Sequence, residues 1–414
     1  MPKQKIIVIG GGAAGLMAAG QAAEGGTHTL VLEKMKRPGR KLCITGKGRC
    51  NITNMAAPAD FISHFGRTGN FLRQAFSRFS NTDLMDFLEA LGLELVTERG
   101  GRVFPASGKA SDVLRVLLTW LKRCGVQIKP ASVVDGLLMG NGRVTGVMSR
   151  GRKFPCDAVI LTTGGASYPA TGSTGDGYRL GKSAGHKVVP IRPALVPMET
   201  SGEVAGKMAG LHLRNVKVRM LVNGKKRREG FGEVVFTEFG VTGPVILTLS
   251  GDAVDALREG HQIVFSLDLK PALDEKKLDG RLLRDFASRS KEPFHSLLRG
   301  LLPYEMVPVC LDGTGIAPER RATNITAKER RSLRRWLKDF RLEVSRPRPL
   351  SEAIVTAGGI DTREVDPRTM ASRQTGGLFL AGEILDIQAD TGGYNLQAAF
   401  STGWLAGRSA AAAR

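Results

Sequence analysis

The chain has 414 residues, 42% hydrophobic and 24% charged, a composition of folded globular proteins and not of disordered or fibrous ones. Its 60 lysines and arginines outnumber 39 aspartates and glutamates, a net charge of +21 that a small neutral metabolite does not require and a polyanionic partner does. Five cysteines without a C-x-x-C pair argue against a disulfide framework or a zinc site and fit a reducing cytoplasm, and the long apolar run from Val234 to Leu249 is broken by Glu238, Gly240, Gly243 and Pro244, so it is no membrane span.

In chain order, Ile6 to Ile9 predicts a buried strand, Ala13 to Ala23 a helix, and Thr29 to Leu32 a second strand ending at Glu33. Gly10, Gly12 and Gly15 between the first strand and the helix form G-x-G-x-x-G. The first glycine permits the turn, the second lets backbone approach a pyrophosphate, and the third allows close helix–strand packing. The phosphates are expected at the helix N-terminus, by Ala13 and Ala14, with Glu33 accepting from a ribose hydroxyl and Lys34 beside it. An acid there favours FAD or NAD over NADP.

The polar loop Arg37 to Asn54 follows. Arg40 and Lys41 can neutralise the pyrophosphate, Gly46 and Gly48 permit backbone approach, and Arg49, Cys50 and Asn51 complete a cofactor-proximal stretch. Apolar spacing predicts a helical region over Asn70 to Gly92 and a helix capped by Ser111. Val126 to Phe154 reads as a β-meander turning at Asn141-Gly142, and Asp157 to Thr162 as a buried strand running into Thr163, Gly164 and Gly165, which are expected to bind the cofactor. The turn Gly172 to Asp176 either contacts a phosphate or caps its helix through Asp176.

Proline-rich joints at Val188–Pro197 and Arg346–Leu350 bracket the middle of the chain. The expected organisation is a cofactor domain at 1–192 and 349–414, interrupted by a β-rich part at 193–270 and a helical part at 271–348. After the second joint, Gly377 to Ala381 is a strand and Gly382-Glu383 a turn, a position where flavoproteins often bring backbone N–H groups to the ribityl chain and phosphate of the cofactor. Gly392, Gly393, Tyr394, Asn395 and Leu396 open a closing helix whose N-terminus could face a flavin ring edge.

Two clusters of basic residues lie in the middle of the chain. Lys225, Lys226, Arg227 and Arg228 occupy a hairpin tip. Ala327 to Phe340 reads as an amphipathic helix with Leu333, Trp336, Leu337 and Phe340 buried, and with Arg330, Arg334 and Lys338 along an exposed stripe flanked by Arg331 and Arg335. These are the expected RNA contacts; a solvated helix face is the alternative.

The segments GRKLCITGKGRCNITN, TGSTGDGYRLGKSAGH, TEFGVTGPVIL, AIVTAGGID, LFLAGEILD and TGGYNLQAAFSTG resemble, over nearly the whole chain, the BaiN/RdsA-type FAD-dependent oxidoreductases, also known as YhiN-like or aminoacetone-oxidase-like. The resemblance implies an α/β fold: a discontinuous, Rossmann-like two-dinucleotide-binding FAD domain with an inserted β-barrel-like and helical substrate domain. It also implies reduction of uridine in 23S ribosomal RNA, reduction of enone-type bile acids, or oxidation of aminoacetone.

The resulting expectation is a cytoplasmic reductase of an electron-poor C=C, uridine in 23S rRNA being preferred and a small-molecule enone or amine the alternative. No second G-x-G-x-x-G exists, so NAD(P)H is expected to bind transiently, giving ping-pong kinetics. Cys50, with Lys47 nearby to favour its thiolate, is the candidate general acid; its alternative role is a small buried packing residue.

Overall fold

The computed structural model describes residues 3–413. The first strand, Lys5–Ile9, pairs in parallel with His28–Leu32 on one side and Ala158–Leu161 on the other. Gln127–Lys129 and Leu378–Leu380 extend this to a five-stranded parallel sheet. The central strands read as unbroken apolar runs because both faces of a parallel sheet are covered.

The chain divides into two compact units, one of residues 1–193 and 350–414, the other of 194–349. In the first, Leu378–Leu380 enters the sheet beside Ala158–Leu161, so segments on either side of the insertion build one core. The closing helix Tyr394–Ala412 packs on the fingerprint helix Ala13–Glu24. A Cβ at Gly403 would lie 2.4 Å from the Ala14 carbonyl oxygen, and one at Gly407 2.3 Å from that of Ala18, so the two backbones touch.

The predicted helical region over 70–92 consists of two helices, Gly69–Arg78 and Asn81–Ala90. Ser80 restarts the chain through a reciprocal capping box with Asp83, a device contributing about 1 kcal/mol. The next helix, Ala110–Arg123, begins before Ser111, which therefore lies inside its first turn and caps nothing. Gln127–Lys129 leaves the predicted meander for the parallel sheet. The antiparallel remainder is Val134–Gly140, Arg143–Ser149 and Arg152–Pro155, turning at left-handed Asn141 and Gly142 (φ 49° and 71°).

The second unit is built on a closed six-stranded barrel. Its strands are Met198–Thr200, His212–Val222, Lys225–Thr237, Gly240–Thr242, Ile263–Asp268 and Phe340–Pro347. The last pairs with both Met198–Thr200 and Ile263–Asp268, so closure needs a strand from beyond the helical segment. This corrects the expectation of a β-rich part ending at residue 270, and moves Phe340 from the helix into the barrel. Pro244–Arg258, expected to belong to β-rich sequence, is a helix started by a proline behind Gly243. The helices Glu275–Ser288, Phe294–Leu298, Met306–Thr314 and Ala327–Lys338 fill the rest of the insertion.

Candidate functional site

The three fingerprint glycines have three different surroundings. Gly10 is left-handed (φ 101°), and a Cβ there would lie 2.6 Å from the Thr162 carbonyl oxygen. A Cβ at Gly15 would sit 1.9 Å from the Gly10 carbonyl oxygen, whereas one at Gly12 would meet nothing within 4 Å. The helix behind them has neither a capping side chain nor an acidic residue in its first turn. Its leading amides, including those of Ala13 and Ala14, therefore face open space as donors without intrahelical partners. Glu33 accepts from the Gly11 and Met35 N–H groups, each at 2.7 Å, which pins its carboxylate beside this turn. An open, uncapped cradle with an acid at its flank fits a dinucleotide.

The cations of the following loop are mostly engaged. The Lys34 ammonium lies 2.9 Å from Asp176 and 2.6 Å from the Thr174 hydroxyl. Burial opposes ionisation of Asp176, but Thr174 and Lys34 prevail and hold its carboxyl below the usual range. Asp176 thus pairs with Lys34 and does not cap its helix, whose N-cap is left-handed Gly175. Lys41 contacts Glu383 and Ser167, both at 2.7 Å, so two of its three ammonium donors are engaged within the unit. Arg49 pairs with Glu98 and lies 4.2 Å over the Phe104 ring. Arg40 is exposed, with no ion pair among the described residues.

Glu383 is also held by the Thr356 N–H at 2.8 Å. The Gly382 N–H is spent on the Thr402 hydroxyl at 3.0 Å, and is therefore not available to a ribityl chain. At the end of the strand Ala158–Leu161, Thr163 leaves a buried hydroxyl without a hydrogen-bond partner, and Gly164 is left-handed (φ 74°). Gly165 abuts Thr356, where a Cβ would lie 2.4 Å from the hydroxyl oxygen. Gly46 and Gly48 are both left-handed within the tight turn preceding Cys50.

The closing helix begins behind left-handed Gly392 and Gly393, again without a side-chain cap. With its amide oxygen turned toward the N–H group, Asn51 accepts from Gly393 at 3.0 Å and donates to the Thr53 carbonyl at 3.1 Å. Asn54 donates to the Gly392 carbonyl, and Asn395 bonds both the N–H and the carbonyl of Ala389. Asn51 therefore occupies the Gly393 donor, and the leading amides of Tyr394, Asn395 and Leu396 remain for a ligand edge.

Cys50 does not fit the role expected of it. Its residue is 0% exposed and its thiol is pushed up to about 12 by burial, which the Thr45 hydrogen bond only partly offsets. Lys47 creates no thiolate there, and a thiol shut off from every opening cannot hand a proton to a substrate. It packs in the core of the unit.

A partly exposed histidine with an oriented ring lies beside the start of the closing helix. His64, at the end of the short helix Pro58–Ser63, places Nδ1 3.1 Å from an Asp390 carboxylate oxygen and stacks on the Tyr394 ring at 3.9 Å. Its side chain is 32% exposed. The carboxylate orients the imidazole through Nδ1, and Nε2 has no hydrogen-bond partner among the described residues. The sequence offered little signal for it, since 326 positions separate the pair.

In the second unit, the predicted basic stripe is corrected. Arg330 and Arg334 pair with Asp279 at 3.0 and 3.2 Å, and Lys338 sits 2.5 Å from Asp268 while donating to the Lys270 and Leu273 carbonyls. The exposed cations of this helix are Lys328, Arg331 and Arg335, one face further round. At the hairpin, Lys226 pairs with Glu229 and Arg228 with Asp252, whereas Lys225 and Arg227 are exposed with no ion pair among the described residues.

The chain belongs to the family described as "HI0933-like protein Rossmann domain", whose model matches residues 4–409. It is 34% identical to the 3-dehydro-bile acid delta(4,6)-reductase of Clostridium scindens, over 98% of this chain and 99% of that one. It is 28% identical to the ribosomal RNA dihydrouridine synthase of Escherichia coli K12, over the full length of both. The solved 3-ketosteroid-delta4-(5alpha)-dehydrogenase from Rhodococcus jostii shares the fold, with TM-score 0.53 and 15% identity over 99% of this chain and 97% of that one. The protein is accordingly an FAD-dependent oxidoreductase. Among the described residues no helix is long and apolar enough to cross a membrane.

Proposed function

We propose that the protein reduces an electron-poor C=C at the expense of NAD(P)H, and that its substrate is a uridine of 23S ribosomal RNA, which becomes dihydrouridine. The observation that carries the RNA reading is the net charge of +21 together with exposed cations of the inserted unit that its own acids do not neutralise.

In this reading FAD is held by the Gly10–Gly15 turn and the leading amides of the fingerprint helix, with Glu33 accepting from ribose through the lone pairs that Gly11 and Met35 leave unused. Arg40 supplies positive charge, and the amides of Tyr394, Asn395 and Leu396 meet the flavin ring edge. Bound FAD would supply hydride-transfer chemistry between NAD(P)H and the substrate carbon. The chain supplies the proton. His64 is the group to which we assign protonation of the neighbouring carbon; its contact with Asp390, which fixes the ring and its tautomer, supports the assignment. For uridine the hydride enters at C6 and the proton at C5. The target base must be unstacked to react, a cost that basic contacts offset.

The second reading, a small-molecule enone reductase, is favoured by the 34% identity to the bile-acid reductase. The deciding experiment is mass spectrometry of dihydrouridine in 23S rRNA from cells with and without the gene. Loss on deletion, restored by the intact gene, supports the RNA reductase. An unchanged level in a host without a duplicate enzyme overturns it in favour of the enone reading.

A further inference from the structure

The long hairpin of the barrel, His212–Val222 and Lys225–Thr237, carries an aromatic ring that no packing explains. Strand alternation turns Val234 and Phe236 inward, and Gly230 and Gly232 share their side. A Cβ on Gly230 would lie 2.7 Å from a Val245 methyl, and one on Gly232 3.5 Å from the Val245 Cβ. The glycines thus let the helix Pro244–Arg258 close on the strand. Phe231, between them, points the other way and is 62% exposed, directly opposite Lys217 in the register.

The ring has a charged setting. Residues 212–233 hold seven lysines and arginines against two glutamates. Both glutamates are answered locally, Glu229 by Lys217 and Lys226, and Glu233 by His212. Two register irregularities bracket Phe231: one leaves Arg214 and Asn215 unmatched opposite Glu233, the other makes Arg227 the extra residue. Bulges re-aim side chains, and here they turn out Arg214 and Arg227, both exposed and without an ion pair among the described residues. Arg227 lies four residues along the strand from Phe231, about 13 Å at ordinary strand rise.

We propose that this outer face is a platform for unpaired RNA, on which one base stacks on Phe231 while Arg214, Lys225 and Arg227 hold the flanking phosphates; this rests on the RNA reading above. The order Gly230-Phe231-Gly232-x-Val234-x-Phe236 parallels the strand with which RNA-recognition sheets present a stacking ring. It departs from that pattern at Glu229 and Glu233, where a cation and a second aromatic would stand, so the platform offers a single ring. An apolar protein partner would need a contiguous apolar patch, whereas Phe231 is flanked on its own face by Lys217, Glu229 and Glu233. A duplex keeps its bases stacked and offers no π-face to the ring.

The test measures binding of a single-stranded oligouridylate and of an RNA duplex of equal length by the full-length flavin-loaded protein, across a salt series. Phe231→Ala is expected to weaken single-strand binding about tenfold with an unchanged salt slope, and Phe231→Tyr to retain it. Arg227→Ala should lower the salt slope by about one. Single-strand binding by Phe231→Ala equal to that of the parent, with native melting and flavin content, would overturn the platform. So would a parent that prefers the duplex or binds neither probe. Cellular dihydrouridine decides the substrate reading separately: its loss on gene deletion alongside unimpaired Phe231→Ala binding sinks only the platform.

Discussion

Both units pair some of their charged residues and leave others exposed, the cofactor unit along the loop after the fingerprint and the insertion on one helix and one hairpin. In the cofactor unit Lys34, Lys41 and Arg49 are tied to Asp176, Glu383 and Glu98, which hold the loop after the fingerprint, while Lys36, Arg37, Arg40 and Lys47 of that loop are exposed without an ion pair among the described residues. The inserted unit ties down one face of its basic helix in the same way, yet leaves Lys328, Arg331 and Arg335 there, and Lys225 and Arg227 on the hairpin, exposed to solvent. Paired charge organises a site, and unpaired charge is what a polyanion can use. On the reading proposed above, the cofactor unit carries the chemistry and the exposed cations of the insertion grip RNA.

That division is broken most directly at His64. His64→Ala is expected to lower the single-turnover rate of substrate reduction about a hundredfold or more while RNA affinity and flavin content stay in place. Cys50→Ala, by contrast, should leave that rate unchanged. A loss of affinity in the first variant, or of rate in the second, would dissolve the distinction.

Next in size is Lys338→Met, which strands the buried Asp268 carboxylate and should cost about 2–3 kcal/mol in denaturant unfolding. RNA affinity should not change, because this lysine is structural. Replacing both Lys225 and Arg227 with alanine should do the reverse, weakening RNA binding severalfold and reducing the salt slope by about two, with stability within about 0.5 kcal/mol of the parent. Equal effects of the two changes on binding would mean that paired and unpaired cations are not functionally distinct.

The smallest effect concerns acid stability. Asp176 titrates in the folded protein below its ordinary value of 3.8, so its contribution is present above that pH and is lost as the pH falls through the lower folded value. Lys34→Met should therefore move the acid limb of the unfolding curve to higher pH, measured by circular dichroism between neutrality and strong acid. An unmoved limb would show that Lys34 is not what holds this carboxylate ionised.

Much of the cofactor unit was legible in the sequence because its signals are local. The glycine spacing, the apolar strands on either side and the acid at Glu33 all lie within one βαβ unit, where backbone sterics leave few solutions. The helix Pro244–Arg258 was missed, although Gly243 and Pro244 form a helix-start signal, because Thr, Val and Ile fit a strand equally well until the barrel interior claims them.

By itself, then, the sequence determined the parallel sheet, the dinucleotide cradle and the positive balance, since each depends on neighbours a few positions apart or on a simple total of charges. Only the tertiary structure decided which charges stay exposed, that Phe340–Pro347 closes the barrel, that Cys50 is sealed in the core, and that His64 meets Asp390. Those outcomes depend on contacts between distant segments, where burial and pairing are settled by packing and not by the order of residues along the chain.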